Sequence, residues 1–121
     1  MYYGDFSDEA DVLKEFEVDD FKGLIIFAVY DRDGYDGTAE VIFIEDGKIY
    51  MVHGSHCSCY GLEGDWNPIE MSVDGLHKII NKGTGLLSHY AQHIESALSV
   101  VEGMVGASEL EQRIALKLIY G

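Results

Sequence analysis

Apolar residues recur at helical spacing among acidic residues at the start of the chain. The apolar positions recur three or four residues apart, at Phe6, Ala10, Leu13 and Phe16. Such spacing places apolar side chains on one face of a helix, and Ser7 before two acidic residues is a favourable start for one. The pattern predicts a short helix over residues 7–17. The alternative is an acidic arm that orders only on a partner.

Three apolar runs follow, separated by turn residues. Residues 21–31 are dominated by β-branched and aromatic residues, which predicts a strand buried on both faces of a sheet. Residues 38–46 and 48–53 predict two more strands, with Asp46-Gly47 as a two-residue hairpin turn between them. Residues 32–37 are typical turn residues, so short connections make the three strands an antiparallel meander.

Helical periodicity returns in the second half of the chain. Ser72 is the predicted N-cap of a helix over residues 73–81. The longest periodic segment covers residues 86–105, and a capping box of Ser108 and Glu111 predicts a last helix after it. The sequence therefore predicts an α+β fold. It consists of a three-stranded antiparallel β-meander with a short N-terminal helix and C-terminal helices packed on it.

These elements form a single predicted domain over residues 1–121. It divides into an acidic N-terminal segment (1–20), the β-meander with a Cys/His loop (21–68) and a helical region (69–121). The helical region is rich in apolar residues and nearly neutral. We therefore expect either a homodimer through the last two helices or helices that bury their apolar faces against the sheet.

Charge is distributed unevenly along the chain. The net charge is −14, and residues 1–70 hold 17 of the 22 acidic residues and 4 of the 8 basic ones. Such a field repels the phosphates of nucleic acids and anionic membranes, so direct binding to either is not expected. It complements a basic protein surface, although solubility alone is an alternative explanation.

The acidic residues of the N-terminal segment are the predicted partner-binding residues. They are Asp8, Glu9, Asp11, Glu15, Glu17, Asp19 and Asp20.

The N-terminus lacks the basic start and apolar run of a signal peptide, and no segment approaches the ~20 apolar residues of a membrane span. A cytoplasmic location is therefore expected, and cysteines only one residue apart favour reduced thiols there.

Histidines and cysteines offer a second kind of chemistry. The candidate metal ligands are His53, His56, Cys57, Cys59, His89 and His93. In an extended chain Cys57 and Cys59 share a side with His53, and the helical histidines share a face, so a Cys2His2 zinc site is one hypothesis. The alternatives are thiols that pack as small hydrophobes, with no cofactor, or a nucleophilic Cys57, which the acidic surroundings disfavour.

The run GSHCSCYGLEG at residues 54–64, followed by Trp66 and Pro68, resembles a signature of small uncharacterised proteins encoded by bacteriophages and prophages. The resemblance covers about residues 24–80. It implies a bacterial cytoplasm and an accessory role, and it carries over no site residues.

Trp66 and Tyr60 are expected to form a hydrophobic clasp over the sheet rather than a ligand cage.

Charge and resemblance together lead to the main functional hypothesis. The chain is expected to bind and inhibit a host protein with a basic surface, such as a nucleic-acid-handling or defence enzyme, without catalysis. Many small acidic anti-CRISPR proteins are similar in class. The alternative is a zinc- or ligand-binding module, or a small enzyme, centred on the His/Cys loop.

Overall fold

The computed structural model describes residues 1–57, 61–83 and 85–102. Within these residues the chain forms five strands in one sheet and four helices, which confirms the α+β class. The strands are β1 (Tyr2–Gly4), β2 (Leu24–Asp33), β3 (Asp36–Glu45), β4 (Lys48–His56) and β5 (Ile69–Met71). The helices are α1 (Glu9–Phe16), α2 (Val73–Ile80), α3 (Leu86–His89) and α4 (Ala91–Glu102).

The sheet is wider than the predicted three-stranded meander. Strands β2, β3 and β4 form that meander at its centre, whereas β1 pairs with β2 in parallel and β5 pairs with β4 in antiparallel fashion. The two edge strands are only 3 residues long each. A segment that short shows no recognisable alternation, because a period of two needs several residues to stand out from chance.

Two tight hairpins set the register of the central strands. Asp46 and Gly47 adopt positive φ angles of 53° and 74°, which confirms the predicted turn. The first turn is shorter than predicted, because Asp33 pairs with Asp36 and only two residues lie between them. Strand β4 continues past the predicted end at His53, and this places His56 within the sheet.

Both faces of the sheet are covered. Helices α2, α3 and α4 pack on one face, called the helix side, and α1 packs on the other, called the α1 side. Along β2, Phe27 and Val29 join the core of the helix side, while Ala28 and Tyr30 join the core of the α1 side. The prediction of a strand buried on both faces is therefore confirmed.

The N-cap of α1 is Asp8 rather than Ser7. The Asp8 carboxylate accepts a hydrogen bond from the backbone N–H of Asp11 at 2.9 Å, and the Asp11 carboxylate accepts one from the N–H of Ser7 at 2.9 Å. The two carboxylates thus satisfy backbone donors at the start of the helix. Val12 and Phe16 fix the helix to the sheet, since both are buried on the α1 side.

The region predicted as helical, residues 69–121, differs from its prediction in two described places, of which the first is that its opening residues form β5 (Ile69–Met71). Helix α2 begins after Ser72, whose hydroxyl accepts the N–H of Gly75 at 3.0 Å as predicted. The predicted long helix is interrupted at Tyr90, which separates α3 from α4. Residues 103–121, with the predicted last helix, lie outside the described residues, so a homodimer through the last two helices stays a prediction. No helix in the described ranges is long and apolar enough to cross a bilayer.

Candidate functional site

Some acids of the N-terminal segment make contacts within the chain, and the others form a second group. Asp8 and Asp11 cap α1, and Glu15 lies 3.7 Å from the guanidinium of Arg32. The remaining predicted partner-binding residues are exposed, and we call them the acidic face: Glu9, Glu17, Asp19 and Asp20. The structure therefore leaves four of the predicted carboxylates outside these structural contacts, on one helix and the turn that follows it.

Arg32 ties the acidic segment to the sheet. Its guanidinium nitrogens lie 3.3 Å from the Asp5 carboxylate and 3.7 Å from the Glu15 carboxylate, and its central carbon lies 4.7 Å from the ring centre of Tyr30. The planar group is thus held by two carboxylates and an aromatic face. Asp5 and Glu15 of the N-terminal segment are thus tied to a residue of β2.

An aromatic groove opens beside the acidic face. It has a volume of about 350 Å³ and is lined by Val18, Asp20, Phe21, Phe43, Glu45, Tyr50, Trp66 and Pro68. The ring of Phe43 stacks with that of Tyr50, at a centre-to-centre distance of 5.2 Å and an interplanar angle of 20°, and with that of Trp66, at 5.6 Å and 9°. Phe21 meets Phe43 edge-on at 5.1 Å. Trp66 therefore packs over the sheet as predicted, whereas Tyr60 lies outside the described residues.

A second cavity, which we call the His56 cavity, lies where β4 ends. Its volume is about 770 Å³, and His56 and Cys57 are among its lining residues. Nδ1 of His56 is 3.1 Å from the carbonyl of Cys57, and its Nε2 is 2.5 Å from the hydroxyl of Tyr30. A carbonyl only accepts, so Nδ1 of His56 donates to the carbonyl of Cys57. Both ring nitrogens are therefore engaged.

The loop beside His56 uses its carboxylates to hold its own backbone. The Asp65 carboxylate accepts the N–H of Ser55 at 3.1 Å, and the Glu63 carboxylate accepts the N–H of Gly61 at 3.2 Å. Hydrogen bonds from the backbone N–H groups of Glu63 and Gly61, together with the charge of His56, lower the pKa of Glu63. These carboxylates therefore have structural partners, and Cys57 is exposed next to them.

A third cavity, the Glu40 cavity, lies on the helix side. Its volume is about 710 Å³, and Glu40, His53, His89 and Tyr90 are among its lining residues. Nδ1 of His53 lies 2.5 Å from Oε1 of Glu40. Glu40 is only 7% exposed, and its Oε2 is the buried side-chain atom without a hydrogen-bond partner among the described residues. Burial raises the pKa of Glu40, although the hydrogen bond and charge of His53 oppose this.

The Glu40–His53 pair was not apparent from the sequence. The signal was present, because Glu40 is a lone carboxylate between Ala39 and Val41 in an otherwise apolar run. The pairing itself follows from strand register, which puts Glu40 directly opposite His53. A carboxylate that binds one imidazole nitrogen orients the ring and leaves the other nitrogen for a ligand or a proton.

The structure distributes the predicted metal ligands over separate places. His53 and His89 line the Glu40 cavity, whereas His56 and Cys57 line the His56 cavity. His53 and His56 lie on opposite faces of β4 because side chains alternate along a strand. The ring of His93 packs against that of Tyr3 at 4.9 Å.

Cys59, the remaining predicted ligand, lies outside the described residues. Within the described residues, no group of three or more His, Cys, Asp or Glu side chains is placed to hold a metal ion. A joint Cys2His2 site that used both His53 and His56 would need the two faces of β4 to meet, which the sheet prevents.

Comparison of the chain with protein-family models, curated proteins and solved structures found no match. The acidic face, the aromatic groove and the two cavities are therefore the features from which a function can be inferred.

Proposed function

We propose that this chain is a non-enzymatic interaction protein that binds a basic surface of another protein. The observation that carries the proposal is that the acidic face adjoins a groove with an aromatic lining. Protein interfaces commonly combine an aromatic centre, which supplies affinity, with a charged rim, which steers the encounter. The acidic face would supply the rim, and the aromatic groove the centre.

The partner class follows from charge. Enzymes that act on nucleic acids present Lys and Arg to phosphates, so their binding surfaces complement a chain with a net charge of −14. The resemblance to bacteriophage proteins supports a bacterial cytoplasm as the setting. We propose a host nucleic-acid-handling or defence enzyme as the partner, inhibited because its basic surface is occluded.

The experiment begins by identifying the partner. Capture from a bacterial lysate at low and high salt, followed by mass spectrometry, selects proteins whose binding depends on charge. The association rate of the purified partner is then measured against salt for the wild type and for a variant with Glu9→Gln, Glu17→Gln, Asp19→Asn and Asp20→Asn. The variant lacks the charges that attract the partner over a distance. Its association should therefore be about tenfold or more slower at low salt and should depend less on salt.

A control variant separates local charge from net charge. Asp46→Asn, Glu70→Gln, Asp74→Asn and Glu95→Gln remove the same number of charges from positions outside the acidic face and the aromatic groove. Its association rate should remain close to that of the wild type. Equal slowing in both variants, or none in the first, would contradict a role for the acidic face.

The Glu40 cavity supports a second candidate function, a small-ligand site in which His53 is the acid–base group. The supporting observation is the contact of a buried carboxylate with an imidazole that is 56% exposed at a cavity. Screening of small molecules by NMR, with the ring signals of His53 and His89 as readout, tests it. A true ligand should shift both signals and should bind more weakly to the Glu40→Gln variant.

A further inference from the structure

We propose that the aromatic groove is a receptor for a single arginine side chain of the partner protein. In this arrangement the guanidinium lies between the carboxylates of Asp20 and Glu45, against the rings of Tyr50 and Trp66. The inference rests on the proposed function for the identity of the partner. The chemistry of the groove can be tested without that partner.

The size of the groove fits a side chain rather than a folded element. Its volume of about 350 Å³ lies near the lower end of the range for small-ligand pockets, about 300–1,000 Å³. Two of the lining rings are closely packed from behind, because a Cβ at Gly23 would lie 2.9 Å from the ring of Phe21 and 2.8 Å from that of Phe43.

The charge of the groove selects a cation. Asp20 is exposed and Glu45 is half-buried, so the aromatic lining carries two carboxylates at its rim. Aromatic faces attract cations, and a carboxylate strengthens that attraction. A guanidinium suits such a site better than an ammonium, because it is planar, stacks on rings and binds carboxylates through two parallel hydrogen bonds.

The chain already holds one of its own guanidinium groups in this way. Arg32 lies 4.7 Å over the ring of Tyr30 and contacts the carboxylates of Asp5 and Glu15. The aromatic groove offers the same combination, two carboxylates and an aromatic surface, but no described basic residue lines it. An arginine from outside the chain would supply the guanidinium that Arg32 supplies at the Tyr30 ring.

Trp66 provides a direct probe, because it is the only tryptophan in the chain. Its fluorescence is followed at low salt during titration with N-acetyl-arginine amide and with N-acetyl-citrulline amide. The two probes have nearly the same shape, but citrulline is neutral. We expect a saturable change with the arginine probe and at least about fivefold weaker binding of the citrulline probe, since the cation supplies much of the attraction.

Variants test the carboxylates in the same assay. The double variant Asp20→Asn and Glu45→Gln should bind the arginine probe at least about fivefold more weakly. A control with Asp74→Asn and Glu95→Gln, which do not line the groove, should bind it as the wild type does. An unchanged emission maximum of Trp66 without probe shows that the groove itself is intact. Equal binding of both probes, or undiminished binding by the double variant, would overturn the inference.

The outcomes separate this inference from the proposed function. If the arginine probe binds the groove but the acidic-face variant associates with the purified partner at the normal rate, the inferred chemistry of the groove stands and the role proposed for the acidic face fails. If that variant associates slowly but the arginine probe produces no saturable change, the inference alone fails.

Discussion

The hydroxyl of Tyr30 on β2 lies 2.5 Å from Nε2 of His56 on β4, although β3 runs between these two strands. The contact is possible because the intervening positions on β3 are small. Ala39 pairs with Tyr30, and Gly37 pairs with His56. A Cβ at Gly37 would overlap Nε2 of His56 and lie 2.8 Å from a ring carbon of Tyr30. The contact anchors the end of β4, where the Cys/His loop begins.

We expect Gly37→Ala to destabilise the protein by about 1–3 kcal/mol, the usual cost of forcing an extra methyl group into a packed site. Urea denaturation gives the free energy of unfolding. In a His56→Ala background the same change should cost less, because the overlapping ring is gone. An equal cost in both backgrounds would show that the Tyr30–His56 contact does not set the requirement for glycine.

The ionisation of Glu40 should make stability depend on pH. Burial raises the pKa of Glu40 in the folded state above the ordinary 4.5. Between pH 4.5 and the raised pKa, the folded state therefore binds more protons than the unfolded state. The contribution of Glu40 to stability is therefore lost as the pH rises from 4.5 through the raised value. Relative to Glu40→Gln, the wild type should become less stable over that interval.

The comparison uses free energies of unfolding at several values between about pH 4 and pH 7, where other carboxylates contribute equally to both proteins. Glu45→Gln, on the same strand but outside the Glu40 cavity, is the control and should not reproduce the effect. A difference between wild type and Glu40→Gln that stays constant with pH would argue against a raised pKa.

Tyr2 should weaken the fold at alkaline pH. Burial, followed by the charges of Glu9 and Asp8, raises its pKa from 10.0 to about 12. The folded state therefore holds this proton more tightly, and the corresponding stability is lost as the pH rises from 10.0 to about 12. Tyr2→Phe keeps the ring but cannot ionise, so it should lose less stability over that interval in denaturation experiments. Identical alkaline profiles for the two proteins would contradict this.

Metal removal should leave the described fold unchanged. Both ring nitrogens of His56 have partners within the chain, and Nδ1 of His53 is bound to Glu40. A chelator should therefore not shift the melting temperature of protein purified without an affinity tag, and elemental analysis should find no stoichiometric zinc. A clear decrease in melting temperature with chelator would support the zinc hypothesis instead.

Local patterns predicted much of the fold. The continuous apolar run of β2, the Asp46-Gly47 turn and the Ser72 cap each depend on neighbouring residues, and the structure confirms all three. The edge strands, the interruption at Tyr90 and the choice of Asp8 over Ser7 as N-cap were not predicted. These features depend on contacts with distant segments or on small energy differences between adjacent residues.

The sequence by itself determined the α+β class, the central meander and the acidic character of the first 70 residues, because composition and periodicity are properties of the chain. Only the tertiary structure decided which of these residues meet. Strand register brought Glu40 to His53, and small residues on β3 brought Tyr30 to His56. Packing of the N-terminal segment on the sheet placed Asp20 beside Trp66. These contacts join residues that are far apart in the chain, and no local sequence pattern encodes them.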